Sequence, residues 1–512
     1  MNASTVSVLG RRRAATRPGV PGAGPVRGRR GLVLGGSLAG LLSARVMARH
    51  FDQVVIVERD QLSARPAGAR RGVPQGRHSH GLLVGGSRAL ERLLPGLTAD
   101  LIARGAIRVD AVNGIRYWVG GTEQAQFASS LEGLLASRPL IEDEVRRHVL
   151  GLPNVVLFGG YDIAGLVMSG DRRRVLGARV VSRAPDRGPG PEPDPGAAGP
   201  IPVDAEPIPD AAGLDHLVDG AVLADLVVDA TGRGSRAATW LSQAGYPTVE
   251  ETVVEVGGTY RTRRFRHRPG VLDGLHAEVI GTDPAGCRGG VALRQENETW
   301  TVTLTGMFGE RPPGELAEFQ AFARGLPTPG LAEITASCEP IDGPLTYHYP
   351  CSRWLHWEKL AERPERFTVI GDAVCSFNPV YGQGMSSTAL QAQALADVLE
   401  AGLDGLPARA ARSFARVVAT PWALATGADR RHPSQPAKPL AERLLDRYLD
   451  RLLAVAPHDR DLTIAFAQVL NLLAAPTSLL TPRIAARVLR PGRRTATSAT
   501  GTRAPQRPFA QR

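Results

Sequence analysis

Lysine is almost missing from this chain. Lys359 and Lys438 stand alone among 61 basic residues in 512, so arginine carries nearly all the positive charge. With abundant alanine, glycine and proline, this reads as the codon bias of a GC-rich bacterial gene rather than as binding chemistry. Cysteine is scarce too. Cys287, Cys338, Cys351 and Cys375 show no C-x-x-C spacing, and no His/Cys cluster has metal-ligand spacing. No metal is expected, and the cysteines read as reduced thiols of a cytoplasmic protein. No apolar run reaches the ~18 residues of a spanning helix. No apolar core follows Arg11–Arg13, so a secretory signal is rejected. Acidic residues are absent from both ends. Residues 1–30 hold seven arginines and residues 491–512 hold five, which leaves residues 31–490 near −1 in a chain of net charge +11. The basicity belongs to solvated ends, and a nucleic-acid partner is not expected.

Two segments carry nucleotide chemistry. Gly31-Leu32-Val33-Leu34 reads as a buried strand, followed by Gly35-Gly36-Ser37-Leu38-Ala39-Gly40, a helical run, and a second strand ending in Glu58 and Arg59. This is a βαβ unit with an acid about 20 positions past its glycine turn, where a pyrophosphate sits on a helix N-terminus and the acid bonds a ribose. Ser37 stands where the second glycine of G-x-G-x-x-G belongs. Far downstream, Phe367 to Ile370 run as a strand into Gly371 and Asp372. A loop with Pro379 follows, then Gly382-Gln383-Gly384, and a helix opens near Met385. An acid at a strand end bonds a ribose or ribityl hydroxyl, and a helix start favours partial negative charge. Together the two segments point to a long dinucleotide lying across the fold.

GGSLAGL (35–41), SRPLIEDEVR (137–146), DLVVDATGRGS (225–235) and GDAVCSFNPVYGQGMSS (371–387) stand in the order of the flavoprotein monooxygenases of the p-hydroxybenzoate hydroxylase and squalene epoxidase type. With GVPQGRHSHGLL (72–83) and PWALATGADRR (421–431), the chain most resembles bacterial flavin epoxidases of polyether polyketide precursors. The resemblance implies FAD, with Gly35, Gly36, Ser37, Leu38, Ala39 and Gly40 at the pyrophosphate. It places Glu58 and Arg59 at the ribose and Arg138 against the cofactor. Gly371 and Asp372 fall at the ribityl chain, and Pro379, Gly382, Gln383, Gly384 and Met385 along the flavin. Arg77, His78 and His80 are the candidate catalytic residues, as contacts to the flavin ring. The implied chemistry is transfer of one oxygen atom from O2 through a flavin C4a-hydroperoxide to a hydrophobic alkene, with NAD(P)H as electron donor, directly or through a flavin reductase.

The fold class expected is α/β, α+β overall. A Rossmann-like FAD-binding domain with a parallel sheet spans 31–110, 135–245 and 365–400, interrupted by a Pro/Gly-rich disordered insertion at 183–213. An antiparallel β substrate domain takes 111–134 and 246–364, and C-terminal helices take 401–490. Residues 1–30 and 491–512 are a disordered lead and tail. IRVDAVNGIRYWVGG, from Ile107, shows strand-like runs around an Asn-Gly turn. Leu444, Leu445, Tyr448, Leu449, Leu452 and Leu453 form an apolar stripe for core packing, a lid, a dimer face or peripheral membrane contact.

Three enzymatic rivals share the cofactor: an aromatic or polyketide hydroxylase, an isoprenoid alkene reductase, and a halogenase, which the lack of W-x-W-x-I-P disfavours. A polyanion-binding protein using the basic ends is the rival of another class. No strong base is visible in 246–364, which tilts the reading toward epoxidation, since phenol hydroxylation usually needs one.

Overall fold

The computed structural model describes residues 27–62, 70, 74–183, 217–218, 220–282 and 287–490. The tail lies wholly outside the described residues, as do the lead up to residue 26 and the Pro/Gly-rich insertion from residue 184.

The expected α/β architecture is present. A five-stranded parallel sheet runs in the order Phe367–Val369, Leu226–Asp229, Gly28–Leu34, Phe51–Glu58 and Val155–Gly159. Its strands read as continuous apolar runs because both faces are covered. Leu32, Val33, Leu34, Val54, Ile56 and Val227 are fully buried. The first strand begins at Gly28, three residues before the apolar run. From it the chain builds outward to one side, through Phe51–Glu58, and later returns to the other side, through Leu226–Asp229. A topological switch point therefore lies between the first strand and Leu226–Asp229, and crevices at the carboxyl ends of such strands are where ligands bind. A four-stranded sheet built on the hairpin Tyr161–Met168 and Val175–Ser182 packs behind this layer.

An eight-stranded mixed sheet forms the second large layer. Its order is Cys375–Ser376, Leu345–Leu355, Glu251–Arg266, Thr299–Gly306, Arg288–Gln295, Ala277–Ile280, Ile115–Val119 and Thr122–Glu123. Strand alternation gives its two faces different tasks. Trp300, Val302 and Leu304 pack with Phe265, Phe319 and Phe322 under the helices Leu316–Arg324 and Gly330–Ser337. Thr303 and Thr305, with Tyr260, Val291 and Leu293, face the other way, toward a cavity.

The strand-like runs flanking Asn113-Gly114 are both strands, and they do not pair with each other. Ile107–Asp110 pairs with Glu132–Leu135 in a separate two-stranded sheet, and Ile115–Val119 joins the eight-stranded one. The chain therefore crosses between layers at this turn. One local expectation changes: the leucine stripe of the helix Leu440–Val455 is split. Leu452 and Leu453 are buried, whereas Leu444 is 53% exposed and Leu445 41% exposed, because only the C-terminal half of the helix meets Leu462, Leu479 and Val488.

Candidate functional site

One cavity of about 620 Å3 lies between the two large sheets, outside the carboxyl ends of the parallel strands. Gly35, Ser37, Leu38 and Ala39 line it at the first strand end. Gly35 has φ +98, a conformation an L side chain rarely adopts, and a Cβ there would meet the Ala230 carbonyl oxygen at 2.7 Å. Gly36 and Gly40 are buried beneath the turn rather than on the wall. A Cβ on Gly40 would fall 1.8 Å from the Gly35 carbonyl oxygen, so this glycine lets the helix Leu38–Met47 close on the turn. That helix has no side-chain cap, which leaves its first-turn amides to a ligand. Ser37, at the odd position of the motif, has its backbone at the N-cap and its hydroxyl makes no cap bond.

Glu58 and Arg59 also line the wall. The Glu58 carboxylate accepts from the Gly36 amide at 2.6 Å and the Asp60 amide at 3.0 Å, and Arg70 reaches it at 3.2 Å. These bonds orient it at the end of its strand. Arg70 also pairs with Glu142 at 2.7 Å, and Glu142 in turn neighbours Arg138 and Arg146. Arg138 starts the helix Arg138–Leu150, whose Ser137 caps it through the Leu140 amide, and its side chain lines the cavity.

The downstream segment enters the same space. Asp372, Pro379, Gly382, Gln383, Gly384 and Met385 line the cavity, while Gly371 lies buried behind them and its amide donates to Gln391 at 2.9 Å. The Asp372 carboxyl is pushed up by burial, against the pull of the Arg138 and Arg233 charges. Nothing stands within 4 Å of the Cβ positions of Gly382 and Gly384, so the backbone there is open to the cavity. Gln383 precedes the helix Gly384–Glu400, and its buried Oε1 has no hydrogen-bond partner.

The histidine loop divides. His78 and His80 line the cavity, whereas Arg77 is exposed and outside it, which corrects its placement as a candidate contact. Arg77 ends the short 3-10 turn Pro74–Arg77, and there the chain turns inward. Burial lowers the His78 pKa to about 4, helped by Arg77, and lowers His80 to about 3, helped by Arg138. Both rings are therefore neutral at pH 7.

Further residues, on the wall and behind it, had no role assigned by the sequence. Asp229 accepts from the Thr231 amide and hydroxyl and from Ser235, and so shapes the turn that presents Arg233. Arg233 donates to the Cys351 carbonyl at 2.8 Å and lies over the Tyr349 ring at 4.7 Å. Asn378 donates to Asp429 at 3.2 Å and accepts from the Tyr260 hydroxyl, and Tyr381 donates to Asp429 at 2.7 Å. Asp429 ends the helix Leu406–Asp429.

Burial pushes the Asp429 carboxyl from 3.8 to about 6, although the Tyr381 and Asn378 bonds oppose the shift. A raised folded-state value means the native protein holds this proton more tightly than the unfolded chain does. The resulting stability is complete below the ordinary carboxyl range and is lost as pH rises through about 6; the shift corresponds to about 3 kcal/mol. Asp429→Asn is expected to flatten the fall of melting temperature across this window. An unchanged fall in the variant would assign it to other groups.

The structure also brings Asp100, Glu144 and His148 within 4.8 Å of one another, away from the cavity. Arg104 and Arg147 already pair with Glu144, so the cluster is an ion-pair network. Cys338, Cys351 and Cys375 are free thiols, and Cys338 and Cys375 are buried. No helix among the described residues is long and apolar enough to cross a membrane.

No protein-family model matches the chain. Protein Rv3254 of Mycobacterium tuberculosis is 32% identical over 463 residues, covering 86% of this chain and 89% of its own. Among solved structures, the probable FAD-dependent monooxygenase pqsL of Pseudomonas aeruginosa aligns with TM-score 0.54 at 16% identity, over 79% of this chain and 97% of its own. The p-nitrophenol 4-monooxygenase PnpA of Pseudomonas putida aligns with TM-score 0.55 at 17% identity, over 87% and 99%. The fold is that of these two structures, and by sequence the chain belongs to the family of Rv3254.

Proposed function

We propose that the chain is an FAD-dependent monooxygenase that transfers one oxygen atom of O2 to a hydrophobic small molecule, with epoxidation of a polyketide- or terpenoid-like alkene as the favoured reaction. The observation that carries this reading is the single cavity. It joins the glycine turn and Glu58 to Asp372 and the open helix start at Gly384, and then to the inner face of the eight-stranded sheet.

The residues present fit FAD. The uncapped helix Leu38–Met47 offers amides to a pyrophosphate. Glu58 takes ribose hydroxyls, and Asp372, buried near Arg138 and Arg233, takes ribityl hydroxyls. The backbone from Gly382 to Met385 would lie along the flavin, and Gln383 Oε1, buried without a partner, would accept an N–H from it. When bound and reduced, the flavin supplies the activation of O2. The protein holds the substrate against it and excludes water with the apolar face of Ile115, Val279, Val291 and Leu293. NAD(P)H supplies the electrons, directly or through a reductase.

The favoured reaction needs no strong base, and the histidines on the wall are neutral ones. Incubation of FAD-loaded protein with candidate lipophilic alkenes, NAD(P)H and 18O2 tests the proposal by mass spectrometry. A product heavier by one labelled oxygen is expected. A saturated product formed without O2 would make it a reductase, and a labelled phenol a hydroxylase.

A further inference from the structure

The sheet wall of the cavity holds a hydrogen-bond chain whose direction can be deduced. His78 Nδ1 lies 2.7 Å from Thr262 Oγ1. Thr262 Oγ1 lies 2.7 Å from Thr303 Oγ1, and Thr303 Oγ1 lies 2.8 Å from Ser79 Oγ. Ser79 Oγ ends the chain, 3.1 Å from the Thr301 carbonyl oxygen. A hydroxyl has one hydrogen to donate, and a carbonyl has none. Ser79 must therefore donate to Thr301 and accept from Thr303. Thr303 then accepts from Thr262, and Thr262 accepts from His78 Nδ1–H. Only this direction makes all four contacts hydrogen bonds, because its reverse sets the lone pairs of Ser79 and Thr301 against each other.

The direction fixes the tautomer. With the proton on Nδ1, Nε2 of the neutral ring carries a lone pair. The one side-chain hydrogen bond of His78 among the described residues is at Nδ1, and His78 lines the cavity beside the Tyr347 ring, 5.6 Å between centroids. Burial and the Arg77 charge keep the ring unprotonated at pH 7. The chamber wall on the sheet side, with Val109, Ile115, Tyr117, Val279, Val291 and Leu293, bears no charge.

We propose that His78 Nε2 accepts a hydrogen bond from a substrate hydroxyl, so that the substrate is a neutral, largely apolar molecule carrying that hydroxyl. The proposal rests on reading the cavity as the substrate chamber of a flavin enzyme. A carboxylate in the same place would set its own lone pairs against the ring nitrogen and is disfavoured. The chain ends on a backbone carbonyl, which has no proton to pass on, so His78 orients the hydroxyl and does not relay its proton to solvent. Thr262 acts through His78 as a positioning residue.

Binding of 2-naphthol, 2-methoxynaphthalene and 2-naphthoate, measured by calorimetry on flavin-loaded protein, tests this. The wild type is expected to bind the naphthol about tenfold tighter than its methyl ether, as a donor meeting a buried acceptor implies. The naphthoate should bind more weakly than the naphthol. His78→Leu and Thr262→Val, each loaded with FAD before titration, should bring the naphthol-to-ether ratio to about one, and Thr262→Ser should restore it. The 15N histidine spectrum adds a readout that packing does not move. It should show a neutral ring with unprotonated Nε2 that is perturbed in Thr262→Val. An Nε2–H tautomer, a wild type without preference for the naphthol, or a preference that survives His78→Leu overturns the proposal. Flavin-loaded protein giving those results leaves the enzyme reading intact, whereas protein that holds no flavin overturns both.

Discussion

Gly40→Ala is expected to purify without flavin. The added Cβ would fall 1.8 Å from the Gly35 carbonyl oxygen, and both partners in that clash are backbone. No rotamer change relieves it, so the helix Leu38–Met47 must move off the turn. Overpacking of this kind costs on the order of 3 kcal/mol, and the displacement falls where the pyrophosphate is proposed to lie. Gly384→Ala is the complementary variant. Its Cβ meets nothing within 4 Å and projects from an open helix start. Flavin affinity should fall there while the melting temperature of the apoprotein holds, since alanine suits a helix better than glycine. The pair separates damage to the scaffold from intrusion on the ligand. Full flavin content in Gly40→Ala would remove the glycine turn from the site.

Asp372→Ala should weaken FAD binding by roughly 10- to 100-fold, the worth of about 1.5–3 kcal/mol for a hydrogen bond to a charged group. Asp372 stands just past the strand Phe367–Val369; burial raises its pKa, and two arginines on the wall, Arg138 and Arg233, oppose that shift. Asp372→Asn keeps the shape and one acceptor, so it should fall between alanine and wild type. Equilibrium titration of apoprotein with FAD, followed by quenching of flavin fluorescence, reads the effect. Unchanged affinity in the alanine variant would take Asp372 out of the site.

The dinucleotide end of the cavity is legible in the sequence because its signals are local. A strand, a glycine turn and a helix stand within about 20 residues of Glu58, and Gly371 to Met385 is equally compact. The Thr-rich strand Thr299–Gly306 is legible as alternation too. Its alternation does not tell which face is core, and Thr303 and Thr305 prove to line the cavity while Trp300, Val302 and Leu304 take the core. The rest of the wall is tertiary. Tyr260, Asn378 and Asp429 meet from three elements far apart in the chain, and no spacing rule connects them. Asp429 lies in PWALATGADRR, whose only signal is resemblance, and outside the β substrate region 246–364. Arg77 shows the opposite failure. It sits beside His78 in one motif, yet the chain turns inward between them, and only the histidines reach the cavity.

The most direct test is to denature freshly purified protein and identify what it releases by absorbance and mass. One FAD per chain is expected, either carried through purification or taken up when FAD is added to the apoprotein. Protein that releases no flavin and does not bind added FAD, or that releases NAD instead, would contradict the assignment of the cavity from Glu58 to Met385.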